Sequence, residues 1–214
     1  MSDAMLVRLW LALVDTITMV GVSAAIALVV GIPLAVILVI STPGGILPAP
    51  RTHRVLAAAI NGFRATPFIV LLVALLPLTR LLTGTTIGVW AAIVPLAISA
   101  TPFFARIAEV SLREVDSGLI EAAQAMGCRR WHIVRHVLLP EALPGLVGGF
   151  TITVVTMIGA SAMAGAVGAV GLGDLAIRYG YQRFDTTVMA VVIVVLVALV
   201  CCVQFAGDRA VGRL

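Results

Sequence analysis

The sequence contains no lysine, since all 14 of its basic residues are arginines. This absence excludes the lysine of a phosphate-binding loop and a lysine that forms Schiff bases. Charge is also scarce, at 11% of residues, whereas a soluble domain averages about 25%. Neither a G-x-S-x-G nor an H-E-x-x-H motif occurs. The sequence therefore provides no candidate catalytic residue, and we do not predict an enzyme.

Metal and disulfide sites are not predicted either. The three cysteines, Cys128, Cys201 and Cys202, are odd in number, and two of them are adjacent in an apolar run, which is not typical of a disulfide framework or a zinc site. His132 and His136 are spaced i, i+4, so a helix would place both imidazoles on one face. No third ligand stands nearby, and we interpret this face as one that contacts solvent or lipid headgroups.

The hydrophobic residues, 61% of the chain, are too many to be buried inside a globule of 214 residues. A membrane-spanning helix needs about 20 apolar residues. We therefore predict an all-α integral membrane protein that forms one transmembrane domain over residues 1–214. The segment 6–15 is partly polar and is expected at the membrane interface. The five predicted spans are approximately 16–40, 55–79, 84–105, 142–165 and 186–206.

The distribution of arginines predicts the orientation, because cytoplasmic loops carry an excess of basic residues. One side holds four arginines: Arg8, Arg80, Arg178 and Arg183. The other side holds nine: Arg51, Arg54, Arg106, Arg113, Arg129, Arg130, Arg135, Arg209 and Arg213. We expect the second side to be cytoplasmic, which puts the C-terminus inside and, with five spans, the N-terminus outside.

Prolines and small residues indicate where the spans bend and pack. Pro67, Pro77, Pro95 and Pro102 fall in the second and third spans, and proline frees a backbone carbonyl in a membrane helix. We expect these helices to kink or break, either as tolerated kinks or as the lining of a path that opens and closes. The G-x-x-x-G of residues 145–149 favours close packing between helices.

Four residues are candidates for a translocation path. Arg64 is a charge inside an apolar run, and such a charge faces an interior or extends to the interface. Met163 stands among small residues, including Ala160 and Ser161, which would leave room for a narrow pore. A lone methionine is also ordinary core filler, and both interpretations remain open.

A polar segment at residues 117–144 separates the third and fourth spans. Asp116 or Ser117 is predicted to cap a short helix, and Glu121 in its first turns suits the helix dipole. Gly127 is expected to end that helix in a left-handed conformation.

A second short helix should follow Gly127. Trp131, Val134 and Leu138 lie at helical spacing, with arginines on the other side, and Pro140 is expected to end the helix. The alternative is an ordinary amphipathic loop helix.

The residues of this segment resemble the permease subunits of binding-protein-dependent ABC importers. Their cytoplasmic loop carries E-A-A, three residues, G, nine residues and then I-x-L-P. Val137 replaces the usual isoleucine here. The matching residues in the E-A-A, glycine and L-P positions are Glu121, Ala122, Ala123, Gly127, Leu139 and Pro140.

A closer resemblance, to the methionine-uptake permeases of that superfamily, covers nearly the whole chain. The matching pieces are FRATPFIVLL, LPEALPGL, SAMAGAVG, GLGDLAIRYGYQRF and QFAGD. Members often have a second glycine beside the position of Gly171, where this chain has Val170.

The resemblance implies the type I ABC importer permease fold in the plasma (inner) membrane and a homodimer of this chain. It implies two ATPase subunits that bind ATP and Mg and receive the coupling loop, at about residues 106–141. It also implies an extracytoplasmic methionine-binding protein, no cofactor in this chain and no nucleic-acid partner. The expected activity is uptake of D- and L-methionine and close derivatives by alternating access.

Two alternatives remain open from the sequence. The chain could import another amino acid or a small peptide by the same mechanism. It could also act alone as an ion-coupled carrier or channel, a function that has no use for the E-A-A loop.

Overall fold

The structure is a computed structural model that describes residues 3–214, and over this range it is helical without any β-strand. Two π-helical turns, Val134–Leu138 and Ala176–Tyr181, interrupt the α-helices. The helices are α1 Asp3–Ile40, α2 Pro50–Ala65, α3 Phe68–Ala74, α4 Leu76–Thr83, α5 Val89–Arg113, α6 Ser117–Ala125, α7 Arg130–Ile133, α8 Leu139–Glu141, α9 Leu143–Gly165, α10 Leu172–Leu175 and α11 Thr186–Val211.

Helix α1 is longer than predicted, since it begins at Asp3 and includes the segment 6–15. At a rise of roughly 1.5 Å per residue its 38 residues extend about 57 Å. The hydrocarbon core of a bilayer is about 30 Å thick. One end of α1 therefore reaches well past the hydrocarbon.

The second predicted span is bent. Helices α2 and α3 meet at an angle of 103° across a break at Thr66 and Pro67. Thr66 is extended, with φ −83° and ψ 124°, because a residue before proline avoids the α region. Pro77 lies in the first turn of α4, after a second break. The expectation of broken helices is confirmed at these two prolines, whereas Pro95 and Pro102 lie inside the continuous helix α5.

Helices α1, α5 and α9 form the centre of the bundle. Phe104 of α5 is fully buried and packs edge-on against Phe150 of α9, with ring centroids 5.5 Å apart. The predicted packing role of the G-x-x-x-G is confirmed: a Cβ on Gly145 would lie 2.7 Å from the Oγ of Ser111, and one on Gly149 would lie 2.4 Å from Ile107 Cγ2.

Four helices, α1, α5, α9 and α11, are long and apolar enough to cross a membrane, and the bent pair α2–α3 supplies a fifth candidate. The predicted all-helical membrane fold is therefore confirmed, with four spans and the bent pair as the candidate for the fifth. Only 11% of the most apolar stretch of α11 is buried, so this helix presents a wide apolar surface that suits lipid or another subunit.

The two ends of the bundle are chemically distinct. At one end, the loop after α1 meets the end of α5, where Arg113 Nη2 lies 3.5 Å from Thr42 Oγ1. At the other end, the N–H of Gly88 before α5 donates to the Gly168 carbonyl at 3.4 Å. The segment Glu114–Ala142 therefore belongs to the first end, together with eight of the nine arginines predicted to be cytoplasmic; the ninth, Arg106, lies two turns inside α5.

Candidate coupling loop and translocation cavity

Helix α6 displays the E-A-A residues on an exposed surface. The Asp116 carboxylate accepts a hydrogen bond from the Gly118 N–H at 2.8 Å and caps the helix, as predicted. Glu121 and Ala122 are exposed, whereas Ala123 is buried at 3% exposure. Ala123 thus anchors the helix, and the two residues before it remain available to a partner.

Gly127 adopts the predicted left-handed conformation, with φ +75°. Its N–H donates to the Gln124 carbonyl at 2.9 Å, and the Cys128 N–H donates to the Ala123 carbonyl at 3.1 Å. These bonds satisfy two carbonyls at the end of α6. This conformation is unfavourable for an L-residue because the Cβ crowds the following carbonyl. Glycine has no Cβ and therefore permits the sharp turn between α6 and α7.

The second half of the loop differs in part from the sequence prediction. Val134 and Leu138 are buried, as expected, but Trp131 is 64% exposed and Ile133 takes the buried position beside Val134. The prediction assumed an uninterrupted α-helix, whereas a π turn occupies Val134–Leu138. Pro140 does not end the helix, because it lies in the first turn of α8, where its missing N–H costs no hydrogen bond.

The loop therefore has a buried inner side and an exposed outer side. Leu138 is fully buried and Leu139 is half-buried against the core below the loop, while Pro140 is exposed. Met126, which the sequence analysis did not single out, is 77% exposed. It continues the exposed surface from Ala122 towards Trp131.

Basic residues border this outer surface. Arg129, Arg130 and Arg135 are all exposed. The rings of His132 and His136 have centroids 5.5 Å apart, which confirms that they share a face. Within residues 3–214 no group of three or more potential ligands could hold a metal ion.

A buried carboxylate supports the end of α5 beside the loop. Glu109 is 1% exposed, and its Oε2 accepts a hydrogen bond from Arg106 Nη1 at 2.7 Å. Arg113 Nη2 lies 2.7 Å from Oε1, at an angle outside hydrogen-bond geometry. Arg113 also approaches Thr42, so the cluster links α5 to the loop after α1. Both arginines were expected as loop charges, and no local pattern in the sequence indicates this arrangement.

A cavity of about 140 Å³ lies where the break between α2 and α3 faces α5 and α9. Two of the four predicted path residues, Arg64 and Ala160, line it. The other lining residues are Phe63, Thr66, Phe68, Leu96, Ser99, Ala100, Phe103, Thr153, Thr156 and Met157.

The remaining two predicted path residues lie outside the cavity wall. Ser161 is buried at 2% exposure and donates to the Ile158 carbonyl at 2.7 Å, so it packs inside the bundle. Met163 is 55% exposed. Thr156, Ala160 and Met163 are spaced i, i+4, i+7, so Met163 continues the cavity-facing stripe of α9 by one turn.

The hydroxyl groups and aromatic rings of the cavity were not predicted from the sequence. Thr153 and Thr156 donate to the carbonyls of Gly149 and Ile152, both at 2.8 Å. Each hydroxyl oxygen keeps lone pairs that can accept a hydrogen bond. The available signal was the recurrence of threonine at three-residue spacing along one face of an otherwise apolar span.

Comparison with protein families gives a match over most of the chain. The family described as "Binding-protein-dependent transport system inner membrane component" matches residues 27–213. Among curated proteins, the chain is 49% identical over 212 residues to the probable D-methionine transport system permease protein MetI of Vibrio cholerae. That alignment covers 99% of this chain and 92% of the relative. The MetI protein of Escherichia coli K12 is 50% identical over 165 residues, which is 77% of this chain and 76% of that protein.

Solved structures share the fold. A chain of the MetNI methionine ABC transporter, in an inward-facing conformation, superposes with a TM-score of 0.98 at 49% identity, covering 100% of this chain and 99% of that chain. An amino acid ABC transporter crystallised with histidines superposes with a TM-score of 0.79 at 19% identity, covering 97% and 94%. The second likeness concerns the fold alone.

Proposed function

Since this chain belongs to the family of binding-protein-dependent transport system inner membrane components, we propose that it imports methionine, in both D and L forms and as close derivatives. It is a multi-pass permease of the inner membrane and the transport subunit, not the enzyme, of an ABC importer. The observation that carries the substrate proposal is the superposition of the full chain on the methionine transporter MetNI, with a TM-score of 0.98 and 49% identity.

The proposed assembly is a homodimer of this chain with two ATPase subunits, which bind ATP and Mg, and an extracytoplasmic methionine-binding protein. The lysine-free sequence supports this division of labour, because the chain has no phosphate-loop lysine of its own. The termini follow the arginine distribution, with the N-terminus outside and the C-terminus inside.

The exposed side of the loop is proposed to dock on the ATPase. Glu121, Ala122 and Gly127 face outward, while Ala123 and Leu138 tie the loop to the bundle. Movement of α6 would therefore pull directly on the core beneath it. Leu139 and Pro140 then carry this motion into α9, which forms one wall of the cavity.

The cavity is proposed as part of the translocation path. Arg64, Ala160 and the threonines surround an apolar space with polar groups at its edge, which suits a zwitterionic amino acid with an apolar side chain. Met163 would extend the path along the same stripe of α9, and Ser161 would hold the stripe in place. At about 140 Å³ the cavity of one subunit is small, and a second copy facing it would enlarge the enclosure.

Uptake by reconstituted vesicles tests the proposal. Vesicles that contain the permease, the ATPase and the binding protein should accumulate labelled methionine only with ATP. An excess of unlabelled D- or L-methionine should abolish the uptake, and other amino acids should not. Efficient competition by a different amino acid or by a peptide would instead assign that substrate. Uptake by the permease alone, without ATP, would identify an independent carrier or channel.

A further inference from the structure

A second pocket lies at the opposite end of the bundle from the coupling loop. It has a volume of about 390 Å³ and lies between the first turns of α1 and the segment of α10 and the following π turn. Its charged and polar lining consists of Arg8, Asp15, Asp174, Arg178 and Tyr179. None of these residues belongs to the loop or to the translocation cavity.

The walls of this outer pocket are fixed to each other. Thr16 Oγ1 accepts a hydrogen bond from the Leu172 N–H at 2.9 Å and donates to the Ala12 carbonyl at 2.9 Å. A Cβ on Gly171 would lie 2.6 Å from Thr16 Oγ1, so the two backbones approach as closely as glycine permits. The pocket is therefore preformed, which lowers the entropic cost of binding a partner.

One carboxylate in the pocket has no partner within the described residues. Arg178 Nε pairs with Asp174 Oδ1 at 2.7 Å. Arg8 donates to the Tyr179 hydroxyl, and its guanidinium lies 5.5 Å from the centre of the Tyr179 ring. The half-buried carboxylate of Asp15 makes no ion pair within residues 3–214. Arg8 has no ion pair either, but its guanidinium is held against Tyr179, so the Asp15 carboxylate is the group in the pocket left open to an incoming cation.

The position of the pocket makes it accessible from outside the membrane. Residues 16–40 alone extend about 37 Å as an α-helix, which already exceeds a hydrocarbon thickness of about 30 Å. Asp15 and Arg8 therefore lie at or beyond the outer membrane surface.

We propose that the outer pocket receives a lysine or arginine side chain of the extracytoplasmic binding protein, whose cationic group pairs with the Asp15 carboxylate. This inference rests on the proposed function, because it requires the outward orientation and the binding protein. A free metal cation fits less well, since Asp174 is already neutralised by Arg178 and only one carboxylate remains. The pair would set the affinity of docking and leave the ATPase cycle itself unchanged.

The test measures how the binding protein stimulates ATP hydrolysis by the complete transporter in lipid nanodiscs. The probe is the methionine-loaded binding protein of the same organism, without its lipid anchor. Asp15→Asn should raise the concentration for half-maximal stimulation about 2- to 10-fold, as expected for loss of one partly solvated ion pair. Asp15→Arg should raise it further. The maximal rate should remain unchanged, and added salt should narrow the difference between wild type and variant.

Asp3→Asn is the matched control, since it removes the same charge from an exposed position on the same helix, outside the pocket. It should behave like wild type. An unchanged half-maximal concentration in both Asp15 variants overturns the proposal. A fall in the maximal rate or in thermal stability alone also overturns it, because it indicates a structural role for Asp15. The proposal is likewise overturned if the change in stimulation depends on the anionic lipid content and not on the binding protein. Absence of any stimulation in the wild type instead refutes the proposed function itself.

Discussion

Replacing Gly127 by alanine provides a sharp test of the coupling loop, because the chain contains a matched control. Gly127 and Gly84 both follow a helix in the left-handed conformation, with φ +75° and +74°. A Cβ at either position would meet no atom within 4 Å. The cost of alanine is therefore conformational at both sites, about 1–2 kcal/mol for an L-residue held in this region.

The two variants should differ in function although their backbone costs are equal. Gly127 orients α6 relative to α7, so alanine there reduces the population of the docking-competent loop. A cost of 1–2 kcal/mol corresponds to a loss of about 5- to 30-fold in affinity for the ATPase. Gly84 lies in the turn between α4 and α5 at the opposite end, so its alanine variant should bind the ATPase as the wild type does.

The assay is an equilibrium titration of labelled ATPase subunit onto the permease in nanodiscs, with thermal stability measured in parallel. Gly127→Pro should abolish binding, since proline fixes φ near −65°, and membrane insertion should persist. Equal affinities for wild type and Gly127→Ala would refute the argument. An equal loss in both alanine variants would also refute it, because the effect would then be general destabilisation.

Three further substitutions test other parts of the account. Ala160→Phe should fill the cavity and abolish methionine uptake, although the assembled complex should still purify. The control Ile152→Phe, at an exposed position of the same helix outside the cavity, should transport methionine normally. Normal uptake by Ala160→Phe would show that the cavity is not part of the path. Glu109→Gln should weaken two ion pairs whose arginines face solvent, reduce the free energy of unfolding by about 1–3 kcal/mol and so lower the thermal midpoint of the purified protein. The exposed Glu114→Gln should leave the midpoint unchanged, and equal midpoints for both variants would mean that the cluster contributes nothing. Glu121→Arg should insert into the membrane and fail to retain the ATPase during purification, and normal retention would place the docking surface elsewhere.

Much of the fold could be predicted from local composition. The apolar runs located α9 and the start of α11 almost to the residue. Pro67 marked a break because the residue before a proline avoids the α region, and Pro77 marked another because proline has no N–H to donate to the preceding helical turn. The sequence did not reveal that α1 continues through Asp15 to Asp3. In that extension Ala12 and Leu13 pack with Leu172 and Leu175, and no local pattern encodes such contacts between residues far apart in the sequence.

The coupling loop was more predictable than the cavity for a physical reason. Capping by Asp116 and the turn at Gly127 are local events, determined by residues two or three positions apart. The cavity instead depends on a 103° bend and on which side of α9 faces it. Ala160 and Ser161 are neighbours in sequence, yet a helical rotation of about 100° per residue puts one on the cavity wall and the other in the core.

The central claim is that this permease moves methionine only when a separate motor acts on its loop. The most direct measurement compares labelled methionine uptake into vesicles that contain the wild-type or Glu121→Arg permease, each with the ATPase, the binding protein and ATP. The account predicts ATP-dependent accumulation with the wild type and none with the variant. Equal accumulation by both, or accumulation without ATP, would contradict it.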